Sequence, residues 1–350
     1  MQNNQNEILF PLDIQVHNGE TCVMLARLPQ VNFKEPFFVD SLSRRFQIAD
    51  ISKKALGEQD VLVRPLHFDD SDTRFSYVPI DEFISQYVHS ELDVSKTKFI
   101  FHMSRCGSTL VTQMLATSER FFVVSEPQIF NAVLNPKFMP QEPIKKMRLL
   151  RAVVGAISAC KPAGVDHTFI KFRSWNSLFM KNILETFPEI QWMYVHRNGI
   201  EVLESVLRDP PGWLRSRHTY ASFFAGKFDV SVEELEQLSE SEYAIRLLGI
   251  FCEIAASQIS SRALYVDYDD IVKNLPMIVE EHWNLVLTDA ERDAMFARTK
   301  IYSKDSNVTQ EFVPDSEAKR KVASDDDRVL SQTYIETQRN TLKGLLQNRI

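Results

Sequence analysis

The chain of 350 residues exceeds the usual size of one domain, and a hydrophobic fraction of 44% can supply a substantial core. The net charge of −7 argues against a broad basic surface for nucleic acid or anionic membrane, so an anionic ligand would need a local cluster of cations. The four cysteines show no CxxC pair, and no apolar run reaches the length of a membrane span. We therefore expect a reducing, cytoplasmic location without disulfides, bound metal, membrane span or nucleic-acid partner.

The first part of the chain, residues 1–95, mixes short apolar runs with turn signals, which predicts strands and short helices. The apolar runs are TCVMLARL, EPFFVD and DVLVRPLHF, and the turn signals are HNGE and DDSD. We expect an N-terminal α+β appendage here, whose role the sequence does not assign. A larger α/β domain is predicted over residues 96–350.

From Lys98 onwards, apolar strands alternate with helical segments, which is typical of βαβ units around a parallel sheet. The predicted strands are 98–102, 121–124, 168–172, 191–196 and 263–267. The predicted helices are 109–118, 143–159, 177–187, 239–258 and 327–347, and the segment 301–327 is polar and strand-poor. The helix 239–258 is apolar over much of its surface, which places it against the sheet. The expected fold class is α/β, a P-loop-type parallel sheet flanked by helices.

A phosphate-binding turn is predicted between the first strand of this sheet and the helix after it, because backbone N–H groups and the helix dipole can hold a phosphate there. Its residues are Arg105, Cys106, Gly107, Ser108 and Thr109. A loop that hydrolyses nucleoside triphosphates would read GxxxxGK[ST], but here His102 replaces the first glycine and Ser108 the lysine. Small-residue turns before helices are common, so this loop alone leaves a purely structural turn open.

A second motif follows the strand 191–196, where Arg197 opens the segment RNGIEVLES at the start of a helix. RCGST and RNGIEVLES resemble the two donor-binding motifs of the sulfotransferase superfamily, which read RSGTT or KSGTT and RNxxDVxxS. Lys171 in TFIKFR resembles a lysine that the family places on the strand before the second motif. Tyr268 in VDYDDIVKN matches a tyrosine near the adenine. The resemblance covers roughly residues 98–295, and its four elements stand in the family's order.

The resemblance implies a sulfotransferase that moves a sulfonate group from 3'-phosphoadenosine 5'-phosphosulfate to an acceptor hydroxyl. The five residues of the turn would hold the 5'-phosphosulfate, with Arg105 in a catalytic role as well. Arg197 and Ser205 would hold the 3'-phosphate. Both groups follow parallel strands, whose carboxyl ends bind ligands in open α/β sheets. Lys171 suits the bridging oxygen, where negative charge grows as the sulfonate leaves. The sequence leaves the acceptor open among peptides, sugars, lipids and small molecules, and it leaves the oligomeric state open.

The acceptor hydroxyl loses a proton as it attacks, which requires a general base. Cytosolic sulfotransferases use a histidine two residues after the strand lysine, and that position is Arg173 here. Tyrosylprotein sulfotransferases use a glutamate after the second strand, where SEPQIF places Glu126. The resemblance therefore makes Glu126 the base, in an arrangement most similar to the tyrosylprotein enzymes. Neighbouring cations would lower the pKa of Glu126 and desolvation would raise it, and the sequence does not decide the sum.

Several residues have structural alternatives. Glu126 could cap the helix after it, and Tyr268 could be packed in the core with its hydroxyl bonded. Cys106 could be a redox switch, although a small side chain in a tight loop explains it. Ser303 and Lys304, in IYSKDSN, could close the nucleotide site or belong to a solvated run of charges. The histidines that could compete as bases, and for which we prefer structural roles, are His102, His196 and His218.

Two other functions compete with sulfonate transfer. A P-loop nucleotide or small-molecule kinase would need the loop lysine, whose position Ser108 occupies. A noncatalytic module that binds adenosine bisphosphate would need neither Lys171 nor Glu126. The residues present favour the sulfotransferase.

Overall fold

The computed structural model describes residues 7–47, 66, 68, 71–88, 95–135 and 142–347. It shows a five-stranded parallel sheet flanked by helices, with a small antiparallel sheet at the N-terminus. The predicted α/β class with a parallel sheet and an α+β N-terminal part is confirmed. Of the apolar run predicted at 60–68, all but Leu66 and Phe68 lies outside the described residues, as does the first half of the turn DDSD.

The N-terminal sheet has the order β1-β2-β3 and is antiparallel throughout. Its strands are β1 (Glu7–His17), β2 (Glu20–Pro29) and β3 (Phe75–Pro79). Asn18 and Gly19 both have positive φ, 51° and 80°, which suits the tight turn that HNGE makes between β1 and β2.

The parallel sheet has the strand order β5-β6-β4-β7-β8. Its strands are β4 (Thr97–His102), β5 (Phe121–Ser125), β6 (His167–Lys171), β7 (Gln191–His196) and β8 (Ala263–Asp267). Every predicted strand is present within one residue at each end. All residues of β4, β5 and β8 are buried, because helices cover both faces of a parallel sheet.

Helices connect and follow the strands. They are α1 (Phe38–Phe46), α2 (Ile80–Tyr87), α3 (Ser108–Leu115), α4 (Ile129–Leu134), α5 (Pro143–Ala159), α6 (Met180–Thr186), α7 (Gly199–Arg208), α8 (Gly212–Arg215), α9 (Ala221–Phe228), α10 (Val232–Gln237), α11 (Glu240–Ser257), α12 (Tyr268–Trp283), α13 (Asp289–Arg298), α14 (Ser316–Val322), α15 (Asp325–Ser331) and α16 (Thr337–Gln347). A 3-10 helix, Ser174–Phe179, precedes α6, and a π-helix, Gln332–Glu336, joins α15 to α16.

The helix predictions agree with the structure for the long apolar segments and differ in the polar ones. The segment 143–159 is α5, and 239–258 is α11 with one residue fewer at each end. As predicted, α11 contacts the sheet: the Tyr265 hydroxyl donates to the Ala255 carbonyl at 3.1 Å, and the Tyr194 hydroxyl contacts the Cys252 thiol. The segment 177–187 begins as a 3-10 helix, and 301–327 contains the unpredicted helix α14.

The hydrophobic core runs without interruption from the N-terminal sheet into the parallel sheet. Phe33, after β2, packs against Phe122 of β5 with ring centroids 5.3 Å apart. All four cysteines are buried free thiols. No helix among the described residues is long and apolar enough to cross a membrane. The division predicted after residue 95 stays a prediction.

Candidate functional site

A cleft of about 660 Å³ lies at the carboxyl ends of the parallel strands. The turn after β4, Glu126 after β5, Arg197 after β7 and Tyr268 after β8 all line it. Lys171 ends β6 and reaches the same place beneath Glu126. The structure therefore brings together residues that lie at or just after the ends of five separate strands. They meet at the edge of the sheet where α/β proteins bind ligands.

The turn between β4 and α3 has an unusual backbone. Ser104, Arg105 and Gly107 have positive φ values of 87°, 45° and 91°. Left-handed residues in a strand-to-helix turn form the concave backbone that binds anions, and α3 adds the positive end of its dipole. Ser108 and Thr109 are the first two residues of α3. That this turn binds a phosphate stays a prediction, and its concave backbone is compatible with it.

Arg105 reaches across the cleft to the end of α7. Its Nη2 donates to the Asp209 carbonyl at 2.5 Å and to Asp209 Oδ2 at 2.6 Å. The same carboxylate lies 3.9 Å from Lys304 Nζ. The sequence did not indicate Asp209 as a partner of Arg105.

Lys171 and Glu126 form a buried ion pair at one end of the cleft. Lys171 Nζ lies 2.7 Å from Glu126 Oε1 and donates to Thr109 Oγ1 at 3.2 Å. The lysine side chain is fully buried and the glutamate side chain is 19% exposed, so the carboxylate faces the cleft. The Glu126 backbone N–H donates to the Lys171 carbonyl at 2.8 Å, and Glu126 has a φ of 59°. Adjacent strands thus fix both residues.

Burial is the largest single influence and would raise the pKa of Glu126, but Lys171, His102 and Arg173 together outweigh it, Lys171 foremost among them. The pKa of Glu126 falls to about 2. The sequence left open whether neighbouring cations or desolvation would decide this pKa, and the cations do. Glu126 is a carboxylate near neutral pH. While it is paired with Lys171, Glu126 is a weak base.

The histidine nearest to Glu126 is fully engaged. His102 Nδ1 accepts from the Ser104 N–H at 3.1 Å, so Nε2 carries the proton and donates to the Phe172 carbonyl at 3.1 Å. Burial and, next, the charge of Lys171 lower the pKa of His102 to about 3. Neither ring nitrogen is available to an acceptor, which agrees with the structural role expected for His102.

The other side chains considered in the sequence as bases or as a redox switch are His196, His218 and Cys106. His196 is buried beside Asp267 and its pKa is lowered by burial to about 3, whereas His218 is exposed and accepts from Arg217. Cys106 contacts the Val195 carbonyl, and burial raises the pKa of its thiol to about 12. Cys106 therefore packs the turn, and a reactive thiolate is disfavoured.

Arg197 lies at the other end of the cleft with its guanidinium already bonded. Its Nε and Nη2 lie 2.7 Å from Glu201 Oε2, and Nη2 donates to Ser316 Oγ at 2.7 Å. Ser205 also lines the cleft, and its hydroxyl donates to the Glu201 carbonyl at 2.8 Å. The predicted 3'-phosphate residues are therefore neighbours, and Glu201 organises them.

Tyr268 connects the two halves of the cleft. The Arg197 guanidinium stacks 4.0 Å from the Tyr268 ring centroid. The same ring packs on Gly107, where an added Cβ would lie 2.4 Å from Tyr268 Cδ2. Gly107 is thus required both by its φ of 91° and by the approach of this ring. The half-buried ring faces the cleft, so the purely internal alternative does not describe it.

The late part of the chain supplies further lining residues. Ser303 and Lys304 line the cleft, and burial followed by the charge of Arg105 lowers the pKa of Lys304 to about 8. Lys319 of α14 also lines the cleft and is paired with Asp315 at 2.7 Å. Ser316 and Lys319 were missed by sequence reasoning, because α14 was not predicted. The signal that could have found this helix is the pair of acid–base spacings of four residues, Asp315 to Lys319 and Glu317 to Lys321.

Comparisons with known proteins give distant similarities. No protein-family model matches the sequence, and no curated protein matches it. A sulfotransferase from Mycobacterium avium is 11% identical, with a TM-score of 0.42 over 73% of this chain and 81% of that one. The sulfotransferase domain of an olefin synthase from Synechococcus PCC 7002 is 15% identical, with a TM-score of 0.39 over 68% and 94% of the two chains.

A third similar structure is a retinol dehydratase in complex with androsterone and the inactive cofactor PAP. It is 12% identical, with a TM-score of 0.36 over 75% of this chain and 86% of that chain. Such scores are too low to carry a conclusion about this protein. Its function has to be inferred from the residues of the cleft.

Proposed function

We propose that this protein transfers a sulfonate group from 3'-phosphoadenosine 5'-phosphosulfate to an acceptor hydroxyl. The observation that carries the proposal is a single cleft with a cationic group at each end, one of which includes the buried Lys171–Glu126 pair. A ligand with two separated anionic groups fits such a cleft, because each group needs its own cations.

The 5'-phosphosulfate would lie on the turn after β4, where Arg105, Ser108 and Thr109 face the cleft. The 3'-phosphate would lie near Arg197 and Ser205, with Lys319 within the same end of the cleft. Because Nε and Nη2 of Arg197 already contact Glu201, a phosphate would use its remaining N–H groups or displace Glu201. Tyr268 lies between the two ends, which suits the adenosine that joins the two phosphates.

In the transfer step the acceptor oxygen attacks sulfur, and the bond between sulfur and the bridging phosphate oxygen breaks. The electron pair of that bond stays on the bridging oxygen, so adenosine 3',5'-bisphosphate leaves. The acceptor proton passes to Glu126. Lys171 stabilises the charge that grows on the bridging oxygen, and positioning supplies much of the remaining rate enhancement.

The ion pair gives Glu126 a conditional basicity. In the structure, Lys171 is the foremost of the charges that hold the pKa of Glu126 at about 2 against its burial. When a phosphosulfate binds, Lys171 shares its charge with the bridging oxygen, and the burial of Glu126 then raises its pKa. Glu126 is therefore a stronger base when the sulfonate donor is present than when it is absent.

Two measurements test the function. Adenosine 3',5'-bisphosphate should raise the melting temperature, because a ligand that binds only the folded state stabilises it, whereas ATP with magnesium should not. A larger shift with ATP and magnesium would contradict sulfonate transfer and support the kinase. Incubation with labelled sulfonate donor and a cell extract, followed by mass spectrometry, should then identify an acceptor that gains one sulfonate.

A further inference from the structure

Phe37, in the N-terminal part of the chain, reaches the catalytic end of the cleft. It lies just before α1, is half-buried and lines the cleft together with Val39. The Lys171 ammonium lies 5.3 Å from the centroid of the Phe37 ring. The ring thus covers one side of the ammonium, while Glu126 and Thr109 bond it from other directions.

The segment that carries Phe37 is hydrogen-bonded on its N-terminal side to α3 and to the residues that follow this helix. Lys34 Nζ donates to the Ala116 carbonyl at 2.7 Å, and Asn32 Nδ2 donates to the Glu119 carbonyl at 2.9 Å. Gln113 of α3 donates to the Lys34 carbonyl at 3.2 Å. These bonds hold the chain against α3 and the residues after it, so the position of Phe37 is fixed relative to the turn after β4.

On its C-terminal side the segment is fastened to the late loop. Glu35 accepts from Ser41 at 2.5 Å and pairs with Arg44 at 3.1 Å. Arg44 Nη2 also donates to the Ser306 carbonyl at 3.1 Å. The segment 32–44 therefore bridges α3 and the loop that contains Ser303 and Lys304, and it closes the cleft on the side of Lys171.

We propose that Phe37 is the residue by which the N-terminal appendage excludes water from the reacting sulfonate. The inference rests on the proposed sulfonate transfer. A water molecule that reached sulfur would release sulfate and adenosine 3',5'-bisphosphate, with its proton passing to Glu126, and the sulfonate donor would be lost. A ring face suits this position, because it excludes water without competing with Glu126 for the Lys171 ammonium.

The experiment follows sulfate release from labelled 3'-phosphoadenosine 5'-phosphosulfate in the absence of any acceptor. Phe37→Ala should raise the rate by about three- to tenfold and Phe37→Leu by less, because the gap that admits water is smaller. Phe37→Tyr keeps the ring and should stay within about twofold of the unchanged protein. The bonds from Lys171 to Glu126 and Thr109 do not involve Phe37 and should persist in each variant, so a change in rate reports access of water.

The matched control is Phe38→Leu, the same substitution one residue later. Phe38 is buried in the core and stacks on Phe10 with centroids 4.3 Å apart, so this change should lower the melting temperature without raising sulfate release. An equal rise in Phe38→Leu would overturn the proposal, since a loosened appendage would then explain both. Sulfate release at or below the unchanged rate in both Phe37→Ala and Phe37→Leu would also overturn it.

Binding of adenosine 3',5'-bisphosphate separates this proposal from the one on which it rests. Calorimetry should give the same affinity, within about twofold, for the unchanged protein and the Phe37 variants. If the unchanged protein does not bind the bisphosphate, the proposal of sulfonate transfer is wrong, and so is the proposed role of Phe37. If it binds and the Phe37 variants show no added hydrolysis, only the shielding role is wrong.

Discussion

The two ends of the cleft each contain a cation paired with a glutamate at 2.7 Å, but the pairs are built differently. Arg197 lies just before Asn198, the N-cap of α7, and Glu201 lies in the first turn of that helix, so the pair is local in the sequence. Lys171 and Glu126 lie on neighbouring strands and meet only when β5 and β6 pair. The end at Arg197, called the phosphate end after its proposed role with the 3'-phosphate, is therefore a local structure. The end at Lys171 and Glu126, called the catalytic end after its proposed role, depends on assembly of the sheet.

The surroundings of the two pairs differ as well. Glu201 also accepts from Arg320 at 2.7 Å, so the phosphate end retains a second cation if one is removed. Lys171 is fully buried and Glu126 is its one carboxylate partner among the described residues. Loss of one member of the pair should thus lower the free energy of unfolding less at the phosphate end than at the catalytic end, where a buried charge would be left unpaired.

The largest expected effect tests the catalytic pair. Glu126→Gln keeps the shape of the side chain but removes its basicity, so transfer to the identified acceptor should fall by about two to four orders of magnitude. Bisphosphate affinity should be kept. Glu201→Gln is the matched change at the other end, and it should weaken bisphosphate binding while sparing turnover at saturating sulfonate donor. Equal losses of turnover in both variants would remove the distinction between the two ends.

Acid unfolding sharpens the same comparison. The folded protein holds the pKa of Glu126 at about 2, below the ordinary 4.5, so its ionisation stabilises the fold above pH 4.5 and this stabilisation is lost as pH falls towards 2. The pH-dependent contribution is roughly 3 kcal/mol. Denaturant titrations of the unchanged protein and Glu126→Gln should give free energies of unfolding whose difference shrinks over that range. A constant difference would show that Glu126 has an ordinary pKa.

Arg197→Ala tests the local pair. A hydrogen bond to a charged group contributes about 1.5 to 3 kcal/mol, so affinity for adenosine 3',5'-bisphosphate should fall roughly ten- to a hundredfold. Adenosine 5'-phosphate lacks the 3' group and should bind as before, and Ser205→Ala should act in the same direction but less. Calorimetric titration of both nucleotides checks this. Equal losses for both would mean that Arg197 supports the fold instead of reading a 3'-phosphate.

The smallest expected effect concerns Gly107, which joins the two ends through Tyr268. Gly107→Ala should lower stability by about 1 kcal/mol more than Gly164→Ala, because both have positive φ but only Gly107 contacts a ring. Gly107→Ala should also weaken the binding of adenosine 3',5'-bisphosphate and of adenosine 5'-phosphate, since it displaces Tyr268 from Arg197. Thermal unfolding and calorimetry of the two variants measure stability and nucleotide affinity. Equal stability and equal affinity in both variants would show that the contact between Gly107 and Tyr268 is unimportant.

The sequence predicted best what depends on neighbouring residues. The strands of the parallel sheet are continuous apolar runs, because both of their faces are buried, and this pattern marked each of them within one residue. The turn after β4 and the start of α7 were visible for the same reason, since each motif is contiguous. Their placement at one edge followed from the parallel arrangement.

What the sequence missed depends on contacts between distant residues. The pKa of Glu126 is set by a 2.7 Å contact with Lys171 and by burial, and neither can be obtained from the order of residues. The helix α14 is short and polar, so no apolar periodicity marked it. Phe37 lies in an apolar run that looked like an ordinary part of the appendage, and only the folded chain brings its ring to Lys171.

The four thiols have an experimental consequence. Every cysteine is buried and free, and burial raises the pKa of Cys106, Cys160 and Cys252 to about 12. A reagent that attacks thiolates should therefore react slowly with the folded chain, and each reaction reports a transient opening of the part that covers that sulfur. Cys106 reports on the turn after β4, Cys252 on α11, and Cys160 on the end of α5. The unmodified protein thus contains its own site-resolved probes of local unfolding.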